Sequence, residues 1–187
     1  MPEPLLYLAS ASPRRAELLR QIGVSFQPYP AHIDETPRLS ESATDFVLRM
    51  AQEKAQAAQA RLRDPQARVL GADTDVILDG EILGKPADQA QAAAMLRRLS
   101  GRSHEVLSGV ALADAKGLDW RLSRSRVWFR ALSEAEITAY WASGEPLGKA
   151  GGYAIQGLGA VFIERLEGSY SGVMGLPLFE TAQLLRP

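Results

Sequence analysis

The stretch Val69-Leu-Gly-Ala-Asp-Thr-Asp-Val-Ile-Leu78 decides the predicted fold of this chain. Its apolar residues predict a buried strand, and Asp73, Thr74 and Asp75 interrupt them where we expect the strand to end at solvent. Open α/β sheets bind ligands at the ends of their strands. Apolar neighbours favour the protonated form of a carboxyl group, which suits Asp73 to a general-base role. Gly71 is small enough to allow close approach to the backbone. The alternative is a strand that ends in a turn or cap made of Asp and Thr.

A predicted phosphate site precedes this strand in the chain. Residues 5–9 predict a short strand, and the next segment predicts a helix that begins after the N-cap Ser12. Arg14 and Arg15 occupy the first turn, where the helix dipole disfavours cations by roughly 0.3–1 kcal/mol each. A bound anion would reverse this penalty, and the Ser10 and Ser12 hydroxyls could also contact it. Two solvated arginines are the alternative. The helix is expected to bury three side chains: Leu18, Leu19 and Ile22.

Three further charged residues are candidates for the same site. Glu35 lies in a turn-like segment and is either a metal ligand or a surface charge. A helix predicted over residues 42–62 places Lys54 on its apolar stripe, either reaching out to solvent or pointing at an anionic ligand. Lys85 follows a hairpin predicted at Asp79-Gly80 and is either a phosphate ligand or a solvated side chain.

The second half of the chain adds a glycine-rich loop to alternating strands and helices. Residues 145–159 contain five glycines, which allow close backbone approach to a ligand. Gln156 in this loop can donate and accept hydrogen bonds, and could therefore contact a base edge; a flexible surface loop is the alternative. Further helices are predicted over 88–99, from the capping box at Ser133 to Gly144, and over 175–185. Strands are predicted over 104–113 and 120–130, and a hairpin is predicted between 161–166 and 169–173.

Composition excludes several classes of protein and site. The 187 residues suit one domain, and a net charge of −1 argues against non-specific nucleic-acid binding. Without cysteine and with only two histidines, any metal must be held by oxygen ligands, which suits Mg²⁺ or Mn²⁺. The N-terminal segment is too short and too acidic for a signal peptide, and no apolar run is long enough to span a membrane. We therefore expect a cytoplasmic protein.

Three motifs together resemble those of the Maf family of nucleoside triphosphate pyrophosphatases. They are Ser10-Ala-Ser-Pro-Arg-Arg15, Gly71-Ala-Asp-Thr74 with Gly84-Lys-Pro86, and Lys149-Ala-Gly-Gly-Tyr-Ala-Ile-Gln-Gly157 followed by Gly175-Leu-Pro177. Their order and spacing make the resemblance specific, and it covers nearly the whole chain. It implies an α/β fold of Maf/ITPase-like type, in which helices flank a mixed sheet and a long cleft separates two lobes.

The resemblance also implies an activity, namely hydrolysis of the α–β phosphoanhydride of a nucleoside triphosphate with a divalent cation. Asp73 matches the family's proton acceptor, and Glu35 or Asp73 would hold the metal. Arg14, Thr74 and Gln156 match the positions that set substrate choice, in the form found in the dTTP and UTP subfamily. The phosphate-binding set would be Ser10, Ser12, Arg15, Lys54 and Lys85.

Further implications concern the biological role and the assembly. The family is linked to arrest of cell division and to removal of modified nucleotides, and whether this protein forms a homodimer stays open. Asp75 stands where many relatives carry an apolar residue, so its charge either faces away or alters metal binding.

Two other functions remain to be weighed. A haloacid-dehalogenase-like phosphatase also uses Asp-x-Asp, but it needs a late acidic pair, and no Asp follows Asp119. A non-catalytic nucleotide-binding regulator of division would use the same basic cleft.

Overall fold

Helices flank a seven-stranded mixed sheet in the computed structural model, which describes residues 5–64 and 66–186. The strands are β1 (Leu6–Leu8), β2 (Phe26–Pro28), β3 (Arg68–Leu78), β4 (Glu81–Leu83), β5 (Ser103–Asp114), β6 (Gly117–Phe129) and β7 (Ile163–Glu167). The helices are α1 (Pro13–Gln21), α2 (Ala43–Leu62), α3 (Gln89–Leu99), α4 (Glu134–Ala142), α5 (Tyr170–Met174) and α6 (Leu178–Leu185), with 3₁₀ turns at Ala150–Gly152 and Leu158–Phe162. The predicted α/β class with a mixed sheet is confirmed.

The strand order is β2-β1-β3-β5-β6-β7, and β4 pairs with β3 beside this path. The strand β1 runs parallel to both β2 and β3, while every other pairing is antiparallel. The sheet therefore changes from parallel to antiparallel at β3.

The acidic segment lies in the middle of β3, so the prediction that it ends the strand was wrong. One edge of β3 pairs with β5 over residues 69–77. The other edge pairs with β1 over residues 68–70 and with β4 over residues 76–78. Among the described residues no strand pairs with this edge over 71–75, and the resulting gap in the sheet opens the strand to a cleft in mid-course.

Two hydrophobic clusters form the two lobes on either side of this gap. Leu70 and Ala72 belong to a cluster with residues of β1, α1 and α6. Val76 and Leu78 belong to a second cluster with residues of β4, α3, α4 and β6. Strand β3 thus serves both cores, and the polar segment lies between them, as the predicted two-lobed architecture requires.

Helix α2 covers the sheet through the apolar stripe that the sequence predicts. The six residues of this stripe are all buried: Val47, Met50, Ala51, Lys54, Ala55 and Ala58. At Gly71 a Cβ would overlap the Ala51 carbonyl oxygen and lie 2.7 Å from the Ala55 backbone nitrogen. The small residue at 71 therefore admits α2, and the close approach to the backbone comes from this helix.

Most other local predictions hold, and two more fail. The hairpin at Asp79-Gly80 and the capping box at Ser133 are present. Residues 169–173 were predicted as a strand, but they enter the short helix α5 after the N-cap Ser169, and β7 pairs with β6 instead. Ile22 was predicted to be buried but is 38% exposed, because α1 ends at Gln21.

None of the helices in the described part of the chain combines the length and the apolar character that a membrane span needs. The expectation of no signal peptide rests partly on residues 1–4, which lie outside the described residues.

Candidate active site

A cleft of about 1030 Å³ lies at the gap beside β3 and brings all the predicted site residues together. This volume is at the upper end of the range for small-molecule sites, and it is enough for a nucleotide. The predicted residues that line it are Ser10, Ser12, Arg14, Arg15, Glu35, Lys54, Asp73, Thr74, Lys85 and Gln156.

A buried ion-pair cluster forms the floor of the cleft. The Lys54 Nζ atom lies 2.7 Å from Asp73 Oδ1 and 2.9 Å from Glu35 Oε1. Lys54 is 6% exposed and Asp73 is 8% exposed, whereas half of the Glu35 side chain is exposed. Lys54 thus joins a carboxylate of β3 to one on the loop before α2, and its charge is already partly matched by these two groups.

Asp75 adds a third carboxyl group to this cluster. It lies two residues from Asp73 on the same strand, so both side chains leave the same face of the sheet. Its burial, followed by the charge of Asp73, raises the pKa of Asp75 to about 8. Asp75 Oδ2 is buried and has no hydrogen-bond partner among the described residues. Asp75 lines the cleft beside Asp73, and its burial favours the protonated form of its carboxyl group.

The two arginines of α1 are held by main-chain carbonyl groups. Arg14 Nε donates to the Met174 carbonyl oxygen at 3.2 Å, and Arg15 Nε donates to that of Gly175 at 2.8 Å. Arg15 Nη1 also donates to Ser10 Oγ at 3.0 Å. Burial lowers the pKa of both guanidinium groups, as does the charge of Arg15 for Arg14. Two partly desolvated cations side by side favour a bound anion.

The helix start differs in one detail from the sequence prediction. Ser12 occupies the N-cap position, but its side chain caps no backbone N–H group of α1. Instead, its own N–H donates to Ser10 Oγ at 3.2 Å. Ser10 thus accepts two hydrogen bonds and fixes the turn that precedes the arginines.

Thr74 belongs to a hydrogen-bonded chain that the sequence did not reveal. Its Oγ1 lies 2.7 Å from Ser108 Oγ and 3.2 Å from the Gly175 carbonyl oxygen. Ser108 donates to the Gly172 carbonyl oxygen at 2.6 Å and is 1% exposed. Because Ser108 comes from β5, 34 residues away, no sequence spacing indicated the contact.

Gln156 is carried by a loop that Glu145 holds in place, a second contact that the sequence did not reveal. The Glu145 carboxylate accepts hydrogen bonds from the Leu158 and Gly159 N–H groups and from the Tyr140 hydroxyl. Burial would raise the pKa of Glu145, but these hydrogen bonds lower it overall. A Cβ at position 157 would overlap this carboxylate, so a larger residue there would displace Glu145 from these hydrogen bonds.

Two lysines lie at the mouth of the cleft. Lys85 is exposed and comes two residues after the hairpin of β3 and β4 in the chain. Lys149 donates to the Glu145 and Leu147 carbonyl oxygens, and burial together with the charge of Arg14 lowers its pKa. The cleft therefore combines cations from α1, α2 and two loops.

The donor set suits a hard divalent cation that arrives with phosphate. Within the described residues, no three His, Asp or Glu side chains surround a common point as a ready metal site. Glu35 and Asp73 each place a carboxylate oxygen within 2.9 Å of the Lys54 Nζ atom, which matches the one or two carboxylates typical of Mg²⁺ sites completed by substrate phosphates. The buried Oδ2 atom of Asp75, which has no partner among the described residues, is a further oxygen ligand nearby.

Comparison with known proteins is consistent with this site. The family of Maf-like proteins matches residues 5–187 of the chain. The chain is 58% identical to the dTTP/UTP pyrophosphatase of Methylobacillus flagellatus over 97% of its length and 91% of that protein. It is 56% identical to the dTTP/UTP pyrophosphatase of Alkalilimnicola ehrlichii, over 97% and 92% of the two chains. It is 55% identical to the nucleoside triphosphate pyrophosphatase of Xylella fastidiosa, over 97% of each.

Proposed function

Because the chain belongs to the family of Maf-like proteins, we propose that it hydrolyses dTTP and UTP to the nucleoside monophosphate and pyrophosphate. Relatives more than half identical to it carry the name dTTP/UTP pyrophosphatase. The observation that carries the proposal is that the Arg14–Arg15 pair and the Asp73 carboxylate share one cleft. Cations for a polyphosphate and a carboxylate for water then lie within reach of one substrate.

Phosphate binding falls to the cations around the cleft. Arg14 and Arg15 use their Nε atoms to hold main-chain carbonyls, so the terminal nitrogens of Arg14 and the Nη2 atom of Arg15 are the groups left for phosphate oxygens. Ser10 and Ser12 line the same turn, and Lys85 can approach from the opposite lobe. These groups stabilise the charge that develops on the leaving pyrophosphate, which is the main requirement in phosphoryl chemistry.

Asp73 is the proposed general base. A water oxygen attacks the α-phosphorus, the bond from that phosphorus to the bridging oxygen breaks, and Asp73 takes the proton of the water. Lys54 holds the Asp73 carboxylate at 2.7 Å and so fixes its direction toward the cleft. In this assignment Lys54 donates to the carboxylates of Asp73 and Glu35, and its remaining N–H group is available for a phosphate oxygen.

Glu35 and Asp73 are the residues proposed to hold Mg²⁺ or Mn²⁺. When bound, the cation would neutralise phosphate charge and polarise the phosphorus–oxygen bonds. The loop with Glu35 is itself anchored, because Arg49 forms an ion pair with Glu41 and donates to the Thr36 carbonyl oxygen. Glu35 is thus held next to Lys54 by its own neighbours.

The proposal extends to the biological setting. We place the protein in the cytoplasm, acting on nucleotides rather than nucleic acids, with modified pyrimidine triphosphates as further substrates. A role in arrest of cell division and in keeping modified nucleotides out of nucleic acids belongs to the same proposal, and a homodimer is compatible with it.

The decisive experiment measures pyrophosphate release from UTP and dTTP with Mg²⁺ or Mn²⁺. We expect Asp73→Asn to lose at least ~10²-fold in kcat while substrate affinity is largely kept, because the base is lost and the cations remain. Asp79→Asn is the matched control, since Asp79 follows the same strand in the exposed hairpin turn and pairs with Arg102.

The other outcomes separate the rival functions. Binding of UTP without turnover by the wild type would support a nucleotide-binding regulator. Release of orthophosphate with a phosphoryl group trapped on Asp73 would support a haloacid-dehalogenase-like phosphatase. Near-normal turnover of Asp73→Asn would remove Asp73 from the base role.

A further inference from the structure

Thr74 and Ser108 form a cross-strand pair next to the cleft. The two residues are direct partners in the antiparallel ladder of β3 and β5, so their side chains leave the same face of the sheet. Thr74 is partly exposed to the cleft, while Ser108 is buried beneath it. Of the two hydroxyl groups, that of Thr74 is thus the one that lines the cleft.

The direction of the hydroxyl protons follows from the acceptors available. A carbonyl oxygen can only accept, so the 2.6 Å contact to the Gly172 carbonyl takes the single proton of Ser108. The Thr74 proton then goes to Ser108 Oγ at 2.7 Å, because this short contact would otherwise join two oxygens with no proton between them; the Gly175 carbonyl at 3.2 Å is the weaker second acceptor. Ser108 therefore takes the Thr74 proton, and only oxygen lone pairs face the cleft.

We propose that Ser108 is a positioning residue for substrate choice: it keeps Thr74 as a pure hydrogen-bond acceptor, which selects a pyrimidine that presents an N–H donor. This inference rests on the proposed function, and it adds how uracil and thymine are told apart from cytosine. Ser108, which controls this choice, does not contact the substrate; it is buried behind Thr74, which does.

The chemistry of the bases makes this discrimination strong. Uracil and thymine carry an N3–H donor between two carbonyl acceptors, and cytosine carries a bare N3 acceptor at the same place. Thr74 would accept from N3–H, while the amide group of Gln156, on the other lobe, is free to donate to a neighbouring carbonyl. With cytosine, two acceptors would face each other with no proton between them, and a site built for a hydrogen bond rejects such an analogue.

The test compares kcat/KM for UTP and CTP in matched variants. In the wild type we expect a strong preference for UTP. Ser108→Ala leaves Thr74 only the longer contact to Gly175, so its hydroxyl can turn and donate to cytosine N3. We expect the UTP/CTP ratio to fall at least ~5-fold, mainly through KM, while kcat for UTP changes less than ~3-fold.

The matched control is Ser123→Ala. Ser123 is also a buried serine, and it is the partner of Ser108 on the adjacent strand β6. No hydrogen bond joins it to Thr74 in the described structure, so its removal is expected to leave the ratio unchanged. The Gly172 carbonyl keeps its second hydrogen bond, from Gly175 N–H, in the Ser108 variant, so that variant should fold.

The results distinguish a specific role of Ser108 in substrate choice from a role in packing alone. Equal losses for UTP and CTP in Ser108→Ala, or a wild type that hydrolyses CTP as well as UTP, would overturn the inference while the pyrophosphatase function stands. No pyrophosphate from any triphosphate would overturn the function itself. If Ser108→Ala does not fold, Thr74→Val replaces it: we expect the ratio to drop at least ~10-fold, and an unchanged ratio ends the proposal.

Discussion

His104 is a buried histidine whose proton affinity is tied to folding. It is 3% exposed, its Nε2 lies 2.7 Å from the Tyr153 hydroxyl, and its ring meets the edge of Phe129. Burial lowers the pKa of His104 to about 4, below its ordinary value near 6.5. The His104 imidazole is therefore protonated below about pH 6.5 in the unfolded chain but only below about pH 4 in the folded chain.

We expect the free energy of unfolding to fall by up to about 3 kcal/mol between pH 6.5 and pH 4 on account of this one group. The stability is fully present above pH 6.5 and is lost as the pH falls through this range. Urea unfolding at several pH values should show a shallower slope for His104→Gln than for the wild type. His32→Gln, at the exposed histidine, should keep the wild-type slope; equal slopes for all three would contradict the assignment.

Single residues differ in how far their roles could be predicted. Asp73, Arg14 and Gln156 were found from motifs, and the structure places them around one cleft. Ser108 and Glu145 were missed, because each acts through a partner distant in the chain or through main-chain N–H groups. Such contacts depend on strand register and loop path, which no local pattern carries.

Helix α2 and strand β3 approach each other closely at Gly71, and the stability of both depends on this contact. A methyl group there would overlap the Ala51 carbonyl oxygen and push the helix from the sheet. We expect Gly71→Ala to lower the free energy of unfolding by about 1–3 kcal/mol, measured by urea denaturation. The control is Gly84→Ala, where a Cβ meets nothing within 4 Å and a change below about 0.5 kcal/mol is expected. Equal effects at both positions would contradict the packing argument.

Elements with strong local signals were predicted well. The Asp79-Gly80 turn and the capping box at Ser133 have a chemistry that acts over a few residues. The short helix α5 was missed because five residues give no helical period, and its N-cap Ser169 resembled a turn residue. The position of the acids within β3 was missed because it depends on where β1 ends and β4 begins.

The cleft beside β3 takes its walls from both lobes of the described structure, so a ligand that contacts both should stabilise the protein. A UTP analogue with a methylene group between the α- and β-phosphates cannot be cleaved there. At 100 times its Kd, with Mg²⁺, we expect about 2.7 kcal/mol of stabilisation and a rise in Tm of roughly 5–10 °C. Uridine at the same concentration lacks the phosphates and should shift Tm far less. An equal shift with uridine would show that the cations of the cleft contribute little.

Strand β3 supplies side chains to both hydrophobic clusters, and β5 does the same through Val106 on one side and Val110 on the other. Neither half can lose its own core without also freeing a strand that the other half needs. The molecule is therefore divided on its surface but undivided in its interior, and its loss of structure is expected to be cooperative, with no stage at which one half survives alone.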